Sequence, residues 1–350
     1  MLAAVLQDYH KITWESVDDP VLQSGTGVLV RTGCAGICGS DLHVFRGEFH
    51  PRTHVPFIQG HEFAGTVVEV GKDVTRFRPG ERVVVDPIIW CGQCPACQLQ
   101  HYPACSSLRL TGIDQDGGFA ELAAVEEFQL YKLPDNVSSR DAALVEMFAI
   151  GFHACRRAGV QPGQNTAIWG AGRIGHSILQ AVRTITAAPV FLVDVLDSRL
   201  DIAKQIYTDV ICINSCRDNP LEVIRERTRG RGVDVAFEAV GHAAPAGGLP
   251  PPVVCCVRSI RGAGTVCVLG LSDQAVPLVL KELIWKEARL VASRVTHGEF
   301  SQAITQLAAG KLVPQALVSA ELPGAEAVMA FRLLEEQPEQ YLKIILRFGE

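Results

Sequence analysis

The segment Gly170-Ala-Gly172-Arg-Ile-Gly175 constrains this chain more than any other, because of what stands on either side of it. It follows the apolar run Asn165-Thr-Ala-Ile-Trp169 and opens the helical sequence His176-Ser-Ile-Leu-Gln-Ala-Val-Arg183. Strand, glycine turn and helix in that order form a dinucleotide fingerprint. Glycines are needed there because the turn is tight, the backbone must approach a pyrophosphate, and the helix must aim its N-terminus at the anion. Arg173 and Ile174 lie inside the turn that would hold the phosphates.

The next apolar strand, Pro189-Val-Phe-Leu-Val193, ends at Asp194. A carboxylate at that distance bonds the adenine ribose hydroxyls and repels a 2′-phosphate, so the expected cofactor is NAD rather than NADP. Arg199, nearby, either stacks on the adenine or starts a helix as a solvated arginine. Together with Val233-Asp-Val-Ala-Phe237, these strands have the continuous apolar character of a parallel sheet buried on both faces, so the region from about Gly151 reads as α/β. Earlier segments, such as Gly27-Val-Leu-Val-Arg-Thr32 and Gly65-Thr-Val-Val-Glu-Val70, alternate and are punctuated by Gly, Pro and Asp, as in an antiparallel β region. A chain of 350 residues exceeds one hydrophobic core, and two domains are expected. Residues 241–252, rich in Ala, Gly and Pro, read as a surface loop.

Four cysteines crowd into Cys91-Gly-Gln-Cys94-Pro-Ala-Cys97-Gln-Leu-Gln-His-Tyr-Pro-Ala-Cys105. Four thiolates complete a tetrahedron, so this lobe reads as a closed, structural zinc site and the chemistry must lie elsewhere. A second, open zinc site is suggested by Gly36-Ile-Cys38-Gly-Ser40-Asp-Leu-His43 and Gly60-His61-Glu62. Zinc held by a cysteine, a histidine and a carboxylate keeps one position for a substrate oxygen and lowers the pKa of a bound hydroxyl. Ser40 and His43, a hydroxyl and an imidazole read as two turns of chain apart, would pass the proton toward solvent. The scattered cysteines Cys155, Cys212, Cys216, Cys255, Cys256 and Cys267 read as small buried hydrophobes.

Charge narrows the partners. With 32 basic and 38 acidic residues, a net charge of −6 and no basic block, the footprint of a nucleic-acid binder is missing. The start at Met1 lacks a secretory signal and no apolar run reaches about 20 residues, so a soluble, cytoplasmic protein with no membrane association is expected. Small molecules are the expected partners.

The Cys38 and His61 motifs, the four-cysteine lobe and the glycine fingerprint occur in one order that resembles the zinc-dependent medium-chain alcohol dehydrogenases across nearly the whole chain. The resemblance implies an α/β protein: a GroES-like, mostly-β catalytic domain and a Rossmann domain with a doubly wound parallel sheet. The implied boundaries are residues 1–148 for the catalytic domain with its zinc lobe at 88–108, 149–283 for the NAD-binding domain, and 284–350 for a C-terminal segment rejoining the first. It implies two zinc ions per subunit, one catalytic and one structural, and a homotetramer or homodimer.

Carried over position by position, the resemblance makes Cys38 and His61 ligands of the catalytic zinc, with Glu62 beside them either ligating it or bonding its water. Glu146, in Ala143-Leu-Val-Glu146-Met-Phe-Ala-Ile-Gly151, matches the glutamate that polyol dehydrogenases place at the zinc, although Met147 stands where a proline is usual. A charged residue in so apolar a run needs a partner. The stretch from Lys281 to Arg294 resembles the sorbitol, threonine and sugar-acid branch, and Arg294 would either fork onto a substrate carboxylate or vicinal hydroxyls or make an ordinary salt bridge. Phe49 and Trp90 are candidate pocket aromatics. The expected reaction is NAD-linked oxidation of a secondary hydroxyl of a polyol, sugar alcohol or sugar acid to the ketone. The alternatives are a threonine- or butanediol-type dehydrogenase, a zinc-independent quinone reductase, which would lack both cysteine motifs, and a non-catalytic NAD-binding sensor.

Overall fold

A computed structural model describes residues 1–241 and 248–349. Of the surface loop expected at 241–252, residues 242–247 lie outside the described residues, and Pro252–Ser259 forms a helix rather than the loop's end. Two compact units emerge. The first joins Met1–Glu146, Thr296–Gly310 and Val318–Glu350, and the second joins Met147–Val295 with Lys311–Leu317. Among the described residues no helix is long and apolar enough to cross a membrane.

In the first unit, Gly27–Gly36 is the central strand of a seven-stranded sheet. It pairs antiparallel with Glu62–Val70 on one side and with the C-terminal strand Lys343–Arg347 on the other. Val28 and Val30 are fully buried while Arg31 is exposed, the alternation that gives a sheet one dry face. At the end of this strand, Gly36 stands opposite both Glu62 and Ile345. A Cβ on Gly36 would lie 2.5 Å from Glu62 Oε2 and 3.0 Å from Lys343 Cε. The missing side chain makes room for a buried ion pair between the Lys343 ammonium and Glu62 Oε2. Neither partner is more than 1% exposed.

The second unit is built on a six-stranded, all-parallel sheet in the order Ile211–Asn214, Val190–Asp194, Thr166–Trp169, Val233–Glu238, Ile260–Val268, Arg289–Ala292. Numbered along the chain, that order is 3-2-1-4-5-6, the arrangement of a doubly wound dinucleotide fold. Every residue of Thr166–Trp169 and Val190–Asp194 is buried, as strands covered on both faces require. Trp169, Phe191, Val193 and Ile260 form much of its core.

Removing one partner of a buried ion pair leaves the other charge uncompensated in a low-dielectric site, at a cost of about 3–5 kcal/mol. Lys343→Met is therefore expected to lower unfolding stability by about that amount, and adding Glu62→Gln to recover a large part of it. Chemical denaturation of the two variants against the parent measures both.

Candidate functional site

The open site is assembled where the strand ending at Gly36 turns into the helix Gly39–Phe45. Cys38 is the N-cap of that helix, and Asp41, three residues on, accepts the Cys38 backbone N–H at 2.8 Å through Oδ2. The other carboxylate oxygen of Asp41 lies 3.3 Å from His61 Nδ1. Asp41 is fully buried, and its carbonyl accepts Gln59 Nε2 at 2.9 Å. One carboxylate thus fastens the thiol-bearing turn and places its charge beside the imidazole. Sequence reasoning passed over Asp41, although an acid three residues after an N-cap is a capping signal in its own right.

Donor atoms of Cys38, His61 and Glu62 all lie within 4.8 Å of one another. Glu146, in the first turn of the helix Val145–Ala158, stands outside that group but close enough to interact with Glu62 and His61. Burial pushes the Glu146 carboxyl up to about 8, with the Glu62 charge adding to the effect. Its Oε2 is buried with no hydrogen-bond partner. His61 is raised as well. Burial disfavours its charged form, yet Asp41 and Cys38 together hold the imidazole well above 6.5. A thiol, an imidazole and two carboxyls packed this closely call for a cation, and the soft and borderline donors suit zinc. Lys343 neutralises part of the acidic charge from behind by holding Glu62. Nothing in the local sequence around Glu62 reveals that lysine, which is 281 residues away along the chain.

Ser40 Oγ lies 3.9 Å from Cys38 Sγ. Ser40 and His43 share the helix Gly39–Phe45 at a spacing of three residues, one turn apart rather than two. The His43 ring stacks on Phe49 at 5.9 Å. Trp90 instead stacks on Tyr102 at 4.3 Å and meets Phe128 edge-on, packing beside the cysteine lobe.

The lobe itself lies between Ile88–Ile89 and Arg109–Leu110, which pair antiparallel and close its base. All four thiols, Cys91, Cys94, Cys97 and Cys105, meet within the same 4.8 Å limit. Cys94 caps a short helix beginning at Pro95. Backbone N–H groups of Ser106 and Cys97 bring its thiol down to about 5, whereas burial pushes Cys97 up to about 12. Four sulfurs with amide donors aimed at them fit a closed zinc site.

In the second unit, Gly170 adopts φ +101°, and Gly172 caps the helix Arg173–Ile185 with no side-chain bond. The first amides of that helix are thus left for an anion, and Arg173 and Ile174 occupy its first turn. A Cβ on Gly175 would lie 1.7 Å from the Gly170 carbonyl oxygen, so only glycine fits. Asp194 sits at the end of its strand. Its Oδ2 accepts the Ala171 N–H at 2.6 Å, and its Oδ1 accepts those of Val195 and Leu196 at 2.8 and 2.9 Å. Arg199 Nη1 is 3.9 Å from Asp194 Oδ2. Arg294 is exposed, two residues beyond the strand Arg289–Ala292.

The family profile "Alcohol dehydrogenase GroES-like domain" matches residues 24–135, and "Zinc-binding dehydrogenase" matches residues 174–309. A curated relative from Pseudoalteromonas atlantica, 2-dehydro-3-deoxy-L-galactonate 5-dehydrogenase, is 31% identical over 314 residues, covering 89% of each chain. Sorbitol dehydrogenase of Bacillus subtilis is 34% identical over 282 residues, covering 79% of this chain and 77% of its own. A solved alcohol dehydrogenase of Escherichia coli CFT073 complexed with NADH superposes with a TM-score of 0.90 at 27% identity, covering 99% of both chains.

Zinc binding at the open group must displace protons from groups held high. The His61 imidazole lies well above its ordinary value and Glu146 lies at about 8. Lowering the pH through 8 therefore sets protons against the metal, and affinity is expected to fall about tenfold per pH unit for each proton displaced. Zinc retention against a fixed chelator, followed from pH 9 downward on the reduced protein, checks this.

Proposed function

Because the chain belongs to the family of zinc-dependent medium-chain alcohol dehydrogenases, we propose that it oxidises a secondary hydroxyl of a polyol, sugar alcohol or sugar acid to the ketone. The observation that carries the proposal is the Cys38, His61 and Glu62 group with Glu146 beside it, whose Oε2 is buried without a hydrogen-bond partner. Cys38 and His61 would hold the ion, and Glu62 or Glu146 would complete its ligands. When bound, zinc polarises the substrate oxygen and NAD accepts the hydride. The chain's own residues then have separable tasks. Ser40 takes the substrate proton and His43 carries it outward. Asp194 binds the adenine ribose hydroxyls, and the amides at Gly172 to Gly175 receive the pyrophosphate. Arg294, exposed past a strand's C-terminal end, is the candidate contact for a substrate carboxylate. The named substrates of the relatives, a deoxygalactonate and sorbitol, support the substrate class.

We further place the enzyme in the cytoplasm as a homotetramer or homodimer. Twelve cysteines with no disulfide among them suit a reducing compartment. Assembly is supported by the outermost strand of the parallel sheet, Arg289–Ala292, which carries exposed Leu290. The helix before it, Leu280–Lys286, exposes Leu280, Ile284 and Trp285. Apolar side chains so placed are better covered than wet.

Cys38→Ser and His61→Ala are each expected to release one zinc of two per subunit and to lower NAD reduction by about a thousandfold or more. Metal analysis beside a spectrophotometric screen with hexonates, hexitols, pentitols, 2,3-butanediol and threonine tests the proposal, and turnover that survives loss of that zinc would refute it. Asp194→Ala should raise the ratio of NADP to NAD use by about tenfold or more, read as relative kcat/KM; an unchanged ratio would remove Asp194 from the pocket.

A further inference from the structure

The helix that carries Ser40 and His43 ends in a backbone closure that determines what stands beside the imidazole. Arg46 is its C-cap, and Gly47 follows at φ +76°. Gly47 N–H donates to the Val44 carbonyl at 2.9 Å, and Glu48 N–H donates to the His43 carbonyl at 2.9 Å. These two bonds and the left-handed glycine form a Schellman closure, which folds the second residue past the cap over the third residue from the helix end. That pair of positions commonly holds two apolar side chains. Here it holds Glu48 and His43, and Glu48 Oε2 pairs with His43 Nδ1.

A carboxylate only accepts hydrogen bonds, so this pairing assigns the ring proton to Nδ1 and leaves the lone pair of the neutral imidazole on Nε2. The ring plane is set by Phe49, stacked at an interplanar angle of 5°. Glu48 is itself steadied by Arg46 Nη1 at 3.8 Å, and Arg46 by Glu335 at 2.8 Å. The His43 and Glu48 side chains are 39% and 47% exposed, so water reaches the pair and can take a proton from it.

We infer that Glu48 is a positioning residue for the proton path: the helix closure sets it against His43 so that the imidazole presents Nε2 as the acceptor. The inference rests on the reading of Ser40 and His43 as that path. It assigns Glu48 no contact with substrate or cofactor. In the balanced step, the proton lost by the alcohol oxygen arrives at His43 Nε2, and the Nδ1 proton stays shared with Glu48 or leaves to water, with no change of oxidation state on either residue.

An ordinary exposed pair of this kind would contribute at most about 1 kcal/mol to stability and nothing to turnover. The test is a double-mutant cycle in the full zinc-loaded enzyme: parent, His43→Ala, Glu48→Ala and both together, with kcat and KM for alcohol oxidation and with zinc content and Tm measured throughout. Glu48→Ala is expected to lower kcat about three- to tenfold with KM for the alcohol little changed, because a base that loses its orienting partner samples the wrong tautomer. His43→Ala should lower kcat at least as far, and the double variant should be no slower than His43→Ala alone. Glu48→Gln keeps the size of the side chain but can turn its amide N–H toward Nδ1 and favour the wrong tautomer, so it should lower kcat as well, at parental Tm and zinc content. If His43→Ala lowers kcat while Glu48→Ala does not, or if the two losses multiply, the role of Glu48 is overturned and the relay stands. If His43→Ala leaves kcat unchanged, the relay itself fails and Glu48 with it. A Glu48→Ala protein of reduced Tm or zinc content is judged by Glu48→Gln, where turnover equal to the parent's would count against the inference.

Discussion

The buried pair between Glu62 and Lys343 ties the final strand to the carboxylate that stands beside Cys38 and His61. Taking an ammonium and a carboxylate out of water costs several kcal/mol per ion, and their attraction offsets that only when the geometry holds both in place. The geometry here comes from three strands meeting at one point: Glu62 opens one, Lys343 opens the last, and Gly36 ends the strand between them, with no side chain in the way. The final strand of the chain is therefore part of the site. It fixes the carboxylate that stands beside Cys38 and His61, and it supplies positive charge behind a group of acids that would otherwise repel one another.

The two candidate metal sites are prepared in different ways. In the lobe, backbone amides aimed at the sulfurs favour the thiolate at Cys94, so a short loop of regular turns suffices. At the open site the charge comes from side chains: Asp41 stands 3.3 Å from His61, Lys343 holds Glu62, and Glu146 is left without a hydrogen-bond partner at Oε2. A site tuned by side chains from distant segments can keep a position open for a ligand, whereas one tuned by its own backbone closes on the metal.

This contrast explains what could be read from the sequence. The lobe, the glycine turn with Asp194, and the Cys38 and His61 motifs are local, and each carries its chemistry within a few dozen residues. The parallel sheet was equally legible, because a strand covered on both faces is apolar at every position. Lys343 was not. At the start of a terminal strand it looks like a solvated end, and only the tertiary pairing shows that it is fully buried. Asp41 was hidden inside a motif that drew attention to its neighbours. Glu48 was invisible because its importance lies in a backbone closure whose only local sign is Gly47. Trp90, an aromatic beside a cysteine motif, has partners that the sequence did not disclose, Tyr102 and Phe128.

The bond from Ala171 N–H to Asp194 joins two functions that are usually discussed separately. The carboxylate proposed to discriminate at the ribose is also a strut of the glycine turn proposed to receive the pyrophosphate. Discarding that acid to admit a 2′-phosphate would therefore also loosen the glycine turn, lowering the use of both cofactors while it shifts the choice between them. A lineage making the switch would have to brace the turn by other means to recover that use, so the two traits are tied by a single hydrogen bond.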